Sequence, residues 1–121
     1  MVKILIIEDD PLMARMYQKI FTFGKYDVEL ANNGEDGLAK VAASQPTIIL
    51  LDVMMPKMNG IQMIEKLRAN PKTKNIPVLV LTAASTEENE LELIKKGADD
   101  FISKTSKSEI IVARINRLLN R

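Results

Sequence analysis

Three stretches of this chain are apolar without interruption: Ile4-Leu5-Ile6-Ile7, Ile48-Ile49-Leu50-Leu51 and Val78-Leu79-Val80-Leu81. A strand with one wet face alternates apolar and polar residues, whereas a strand covered on both faces has no reason to. Short runs rich in Ile, Leu and Val therefore read as central strands of a parallel sheet lying between layers of helices. Two weaker runs complete the set, so strands are expected over residues 2–7, 27–31, 47–51, 77–81 and 100–103. The second is short and interrupted by Glu29, which suits a sheet edge.

Helical patterns fill the intervals. Asp10 followed by Pro11 reads as an N-cap with proline at the first helical position. It opens a helix over residues 12–23 in which Leu12, Met16 and Ile20 recur at four-residue spacing as the core stripe. Residues 34–43 form a second helix, stopped before Pro46, and Asn59-Gly60 opens a third with Ile61, Ile64 and Leu67 on one face. Ser85-Thr86-Glu87-Glu88 and Ser106-Lys107-Ser108-Glu109 match the S-x-x-E capping box and set helix starts just after strands four and five. Gly97 is the expected C-terminal cap of helix four. Such strict alternation predicts one α/β domain over residues 1–121, a doubly wound five-stranded parallel sheet flanked by five helices, with no output domain fused to it.

Composition removes whole classes of chemistry. The chain has no histidine and no cysteine. Histidine-based triads, imidazole- or thiolate-bound zinc, disulfides and a phosphohistidine carried by this chain are therefore excluded. A net charge of +1 gives no warrant for non-specific nucleic-acid or membrane binding. No apolar stretch approaches the roughly 20 residues that span a bilayer. The N-terminus runs straight into the first strand without a secretory signal, so a cytoplasmic location is expected. Carboxylates, hydroxyls and lysines must carry the chemistry.

These groups gather where strands end. The first run leads into Glu8-Asp9-Asp10, the third into Asp52, the fourth into Thr82 and the fifth into Lys104. In open α/β sheets ligands collect beyond the carboxyl ends of the strands. Crowded carboxylates repel one another, and an all-oxygen donor set selects a hard cation, Mg2+ or a similar ion such as Mn2+. With a cation offsetting charge, a carboxylate can attack a phosphoryl group. Asp52, single and central, is the best nucleophile. Asp9 and Glu8 form the metal side, Asp9 directly and Glu8 through water. Thr82 can donate its hydroxyl to a phosphoryl oxygen, and Lys104 supplies a mobile point charge. Each residue alone has a plainer explanation as a turn residue, helix-start acid or solvated charge; their joint arrival at matching strand ends favours the chemical one.

Four segments carry a family resemblance: Lys3-Ile4-Leu5-Ile6-Ile7-Glu8-Asp9, Leu51-Asp52-Val53-Met54-Met55-Pro56-Lys57-Met58-Asn59-Gly60, Leu81-Thr82-Ala83, and Gly97-Ala98-Asp99-Asp100-Phe101-Ile102-Ser103-Lys104. Over essentially its full length the chain resembles a receiver domain of a two-component response regulator. The second segment, matching D-x-x-M-P-x-M-[DN]-G, is the most specific. The resemblance implies the flavodoxin-like strand order 2-1-3-4-5. It implies that Asp52 accepts a phosphoryl group from the phosphohistidine of a sensor histidine kinase or phosphotransfer protein. Mg2+ would be held by Asp9, Asp52 and the backbone carbonyl of Met54, with Glu8 assisting. Thr82 and Lys104 would contact the phosphoryl group, and Thr82 and Phe101 would form the switch.

One position departs from the family pattern. Receivers usually carry Lys-Pro, often cis, where this chain has Lys104-Thr105. A cis bond before a non-proline costs roughly 2.5–4 kcal/mol, so either that cost is borne or the loop takes another path. Met54 and Ala84, apolar at positions that tune phosphoryl lifetime in the family, predict a long-lived phospho-form.

The signal would leave through helix four, strand five and helix five toward a downstream protein. On helix five Ile111, Val112, Ile115, Leu118 and Leu119 share a core arc, leaving Ile110 with Arg114 and Arg117 on the outer side. On helix four Leu93 lies off the line of Leu91 and Ile94 and joins the expected partner surface. Competing readings are a degenerate receiver acting as a constitutive scaffold, a small Mg2+-dependent aspartyl-phosphate phosphatase, and a flavodoxin-like nucleotide carrier. The phosphatase pattern would need its nucleophile after strand one. The carrier would need a Gly- and Ser-rich loop where this chain has Glu8-Asp9-Asp10.

Overall fold

The structure is a computed structural model that describes residues 2–24, 26–53, 60–82 and 87–120. Strands and helices alternate as β1 (Lys3–Ile7), α1 (Pro11–Phe23), β2 (Asp27–Ala31), α2 (Gly34–Ala43), β3 (Ile48–Asp52), α3 (Gly60–Ala69), β4 (Val78–Thr82), α4 (Glu87–Lys96), β5 (Asp100–Ser103) and α5 (Ser108–Leu119). The five strands form one parallel sheet in the order β2-β1-β3-β4-β5. This is the doubly wound, flavodoxin-like receiver arrangement, with β2 and its Glu29 at one edge.

The uninterrupted apolar runs exist because the sheet is covered twice. Ile4, Ile6, Ile48, Leu50, Leu79 and Leu81 pack with Tyr17 and Phe21 of α1 and Ile111, Ile115 and Leu118 of α5. Leu5, Ile7, Ile49, Leu51, Val78 and Val80 face the other way, against Val41 of α2, Met63, Ile64 and Leu67 of α3 and Leu93 of α4. Each fully buried Ile, Leu or Val contributes roughly 1.5–3 kcal/mol, so this double layer is the main source of stability. No helix among the described residues is long and apolar enough to cross a membrane.

Two helical faces differ from the sequence expectation. In α1 the buried residues are Ala14, Tyr17 and Phe21, with Met13 and Ile20 partly buried, while Leu12 is 78% exposed and Met16 also faces solvent. The chain presents two apolar stripes on this helix, and the sheet takes the one that carries Tyr17 and Phe21. In α4 Leu93 is 3% exposed, whereas Leu91 and Ile94 are exposed, so Leu93 is a core residue and not part of a docking surface.

The caps are mixed. Asp10 caps α1 as expected, its Oδ1 accepting from the Leu12 N–H at 2.9 Å with Pro11 following. Gly97, at φ +112°, ends α4. The N–H of Gly97 donates to Ile94 O and that of Ala98 to Leu93 O, the paired bonds of a Schellman cap. At α5 the expected Ser106 cap is not used. The N–H of Ser106 donates to Ser103 O in a turn, and the helix starts two residues later with Lys107 in the cap position and no side-chain cap bond. The expected cap over Ser85 and Thr86, and the helix start at Asn59, fall outside the described residues. An unforeseen staple joins loops at the lower edge: Arg68 of α3 donates to Gly97 O, Ile76 O and Lys74 O and pairs with Asp99 at 2.9 Å.

Candidate functional site

Register brings the polar strand ends together. Ile7 aligns with Leu51, Asp52 with Leu81 and Thr82 with Ser103, so the residues after these positions meet at one edge. Alternation then sorts them by face. Glu8 continues the line of Ile4 and Ile6, Asp52 that of Ile48 and Leu50, and Lys104 that of Ile102, all toward α1 and α5. Thr82 continues Val78 and Val80 toward the α3 and α4 side. Phe101, aligned with Val80 and packed on that same cluster, is half-buried there beside it.

At this edge Glu8 and Asp52 are buried and Asp9 is exposed, and one carboxylate oxygen from each lies within 4.8 Å of the others. Lys104 Nζ stands 2.9 Å from Asp52 Oδ2 and 3.1 Å from Glu8 Oε1. The first contact is a hydrogen bond; the second is an ion pair not aligned as one. The other Glu8 oxygen accepts from the Asp10 N–H at 3.3 Å. Burial raises the Glu8 carboxyl to about 7, helped by its contact with Asp52 and opposed by Lys104. Burial alone would lower the Lys104 ammonium, but its bonds to Asp52 and Glu8 and their charges raise it overall.

Lys104 is seated without a cis bond. The described residues contain no cis peptide. The Lys104 N–H donates to Thr82 O at 3.0 Å, extending the β4–β5 ladder into the site. Ser103 Oγ shares a 2.8 Å bond with Thr105 Oγ1 and accepts from the Thr105 N–H, so side-chain bonds shape the turn that follows Lys104. On the far side of Asp52, the Gly60 N–H donates to Val53 O at 3.1 Å as α3 begins. Only glycine fits there: a Cβ on Gly60 would lie 2.6 Å from the Val53 Cα.

The residues present fit a divalent cation. Three carboxylate oxygens lie within 4.8 Å of one another, the donor set is all oxygen, and Lys104 alone does not offset three acids. Such a set suits Mg2+, which takes one or two carboxylates and keeps several waters. Met54 and Ala84 lie outside the described residues.

On the proposed output face, Ile110 is exposed, but Arg114 and Arg117 both bind Asp100 Oδ2, at 3.2 and 2.6 Å. Their charges are thus partly spent within the domain.

The response regulator receiver domain profile matches residues 4–116, and the chain belongs to that family. The DNA-binding dual master transcriptional regulator RpaA of Synechocystis sp. is 37% identical over 121 residues, covering 100% of this chain and 50% of that protein. Response regulator MprA of Mycobacterium leprae is 36% identical over 119 residues, 98% of this chain and 51% of that protein. The chain thus spans about half the length of these curated relatives. Among solved structures, the receiver domain of a signal transduction histidine kinase from Syntrophus aciditrophicus superposes with a TM-score of 0.92 at 32% identity, covering 99% of this chain and 91% of that one. Chemotaxis protein CheY4 of Vibrio cholerae gives 0.93 at 28% identity, covering 98% of each. Receiver domains are signalling domains that interact with histidine kinases or phosphotransfer proteins, and they bind Mg2+ at an acidic pocket.

Proposed function

We propose that this receiver domain accepts a phosphoryl group on Asp52 from the phosphohistidine of a sensor kinase or phosphotransfer protein. The observation that carries the reading is the constellation of Asp52, Glu8 and Asp9 around one edge, with Lys104 Nζ 2.9 Å from the acceptor oxygen. An Asp52 oxygen forms the new O–P bond as the donor's N–P bond breaks, and the leaving imidazole takes up a proton. Lys104 moves from the carboxylate to a phosphoryl oxygen, and Thr82 donates its hydroxyl to another. Glu8, Asp9 and Asp52 would hold Mg2+ or Mn2+, with the Met54 carbonyl as a further ligand, and the ion would supply charge neutralisation for the transfer. The chain catalyses only its own phosphorylation and dephosphorylation, in the cytoplasm.

Thr82 and Phe101 share a face of the sheet, which supports a switch in which a shift of Thr82 toward the phosphoryl group opens space for the Phe101 ring. The output surface on this reading is α4, β5 and α5, with Leu91, Ile94 and Ile110 as its exposed apolar residues. The donor would cover α1, whose start adjoins Asp9. Intact-mass analysis after incubation with acetyl phosphate and Mg2+ tests the central step. One added phosphoryl group on the parent and none on Asp52→Ala is the expected result; equal labelling of both would overturn it.

A further inference from the structure

Among the described residues, buried Tyr17 Oη has no hydrogen-bond partner, and buried Glu8 Oε1 has only its 3.1 Å ion pair with Lys104. An enclosed polar atom left in this way costs about 1–3 kcal/mol, and each case in a folded protein calls for a cause. These two occupy the same layer. Glu8 points to the α1 and α5 side of the sheet, where Tyr17 is wholly buried. Helical side chains lean toward the helix N-terminus, and α1 starts at the acid edge, which directs the Tyr17 ring along this layer toward that edge. The phenol responds to that neighbourhood. Burial foremost, then the Glu8 charge, raise it to about 12, with Lys104 opposing and Asp52 adding. For packing alone, Leu or Phe would fill this apolar position without desolvating a hydroxyl.

We propose that Tyr17 is a positioning residue for the acid site: its hydroxyl donates, through one internal water, to Oε1 of Glu8. The water satisfies the Tyr17 hydroxyl, adds a donor to Glu8 Oε1 beside its ion pair with Lys104, and needs only a small polar space to do so. Glu8 is then gripped at both oxygens, by the Asp10 N–H at Oε2 and from beneath at Oε1. Tyr17 touches neither cation nor phosphoryl group and acts through the carboxylate. The inference rests on the reading that these acids hold a divalent cation, whose ligands are tuned by the groups that orient them.

The test is Mg2+ titration of the full chain by calorimetry, comparing the parent, Tyr17→Phe, Glu8→Gln and the double variant. Tyr17→Phe should bind Mg2+ about tenfold more weakly, with its unfolding midpoint in EDTA little changed because the hydroxyl's bond and its burial cost are lost together. In the Glu8→Gln background the same substitution should change Mg2+ affinity no further. Unaltered affinity in Tyr17→Phe overturns the proposal while leaving the cation reading intact. An equal loss in both backgrounds also overturns it, because the tyrosine would then act independently of Glu8. A parent chain without measurable Mg2+ affinity overturns both.

Discussion

The ammonium of Lys104 bonds Asp52 Oδ2 at 2.9 Å, joining the residue after β5 to the last residue of β3 across the end of β4. Lys104 thereby offsets the repulsion between Asp52 and buried Glu8, and the two ends of this contact respond oppositely to substitution. Asp52→Asn removes one like charge while keeping the shape, and should raise metal-free stability by about 1–2 kcal/mol while abolishing phosphoryl incorporation. Lys104→Met leaves two acids uncompensated and should lower it by roughly 1–3 kcal/mol. Urea denaturation in EDTA reads both; shifts of the same sign would contradict this account of the site.

The raised Glu8 carboxyl gives the metal-free protein a characteristic pH dependence. Glu8 ionises near 7 in the folded chain, against 4.5 for a freely solvated glutamate, so between these values the folded state binds more protons than the unfolded one. Stability from protonated Glu8 is complete below about pH 4.5 and is lost as pH rises through about 7, an amount on the order of 3 kcal/mol. A cation at the acids competes with that proton. Saturating Mg2+ should therefore raise the Tm more at about pH 8 than at about pH 6. An equal rise at both, measured by thermal denaturation with EDTA controls, would exclude Glu8 from the cation's environment.

Gly60 and Gly37 separate backbone crowding from side-chain crowding. A Cβ at Gly60 meets the Val53 Cα at 2.6 Å and Asp52 O at 3.2 Å, both main-chain atoms. At Gly37 it meets the tips of Ile7 and Met63, at 2.7 and 3.0 Å. Main chain cannot yield without moving the acceptor strand, whereas a methionine can change rotamer. Gly60→Ala should cost about 2–3 kcal/mol and slow phosphorylation from acetyl phosphate, and Gly37→Ala about 1 kcal/mol with labelling unchanged. Chemical denaturation and a labelling time course on each variant check the contrast.

What could be read from the sequence divides along physical lines. Strand positions and the polar strand ends were legible because a doubly covered strand leaves an apolar run and an active edge leaves its acids in fixed places. The faces of α1 and α4 were not, since Leu12 and Met16 are as apolar as Ala14 and Tyr17, and only packing chooses between them. For α4 a usable signal was present. A Schellman cap with Gly97 at its turn places residues 93 and 98 in contact, which marks Leu93 as core, as Ala98 also is. The Arg68 staple had no signature, because most of its acceptors are main-chain carbonyls, which any sequence has, and its one carboxylate, Asp99, lies 31 residues away. The Asp100 clamp on Arg114 and Arg117 joins β5 to α5 over a spacing of 14 and 17 residues, beyond any helical period.

The outward stripe of α1 has the geometry of a docking seam. Leu12, Met16, Lys19 and Phe23 follow one another at spacings of 4, 3 and 4, which puts them along a single line of the helix, the seam geometry of helix–helix packing. Leu12 is 78% and Phe23 91% exposed, and α1 carries Arg15 and Lys19 but no acid. The stripe begins three residues from Asp9, so a helix laid along it stands beside Asp52. On the proposed reading, an apolar and acidic helical face of a phosphodonor protein would complement this surface. Leu12→Ala removes a side chain that buries little within the domain and Met16→Ala one that is about half covered, and together they should lower stability by no more than about 1–2 kcal/mol. The same pair should slow phosphotransfer from a histidine-phosphorylated protein donor at least about tenfold, as expected for loss of two interface anchors. Labelling by acetyl phosphate, which needs no docking, should be unchanged. If both donors slow together, the substitutions have disturbed the acid site itself; if neither slows, the donor approaches over another face.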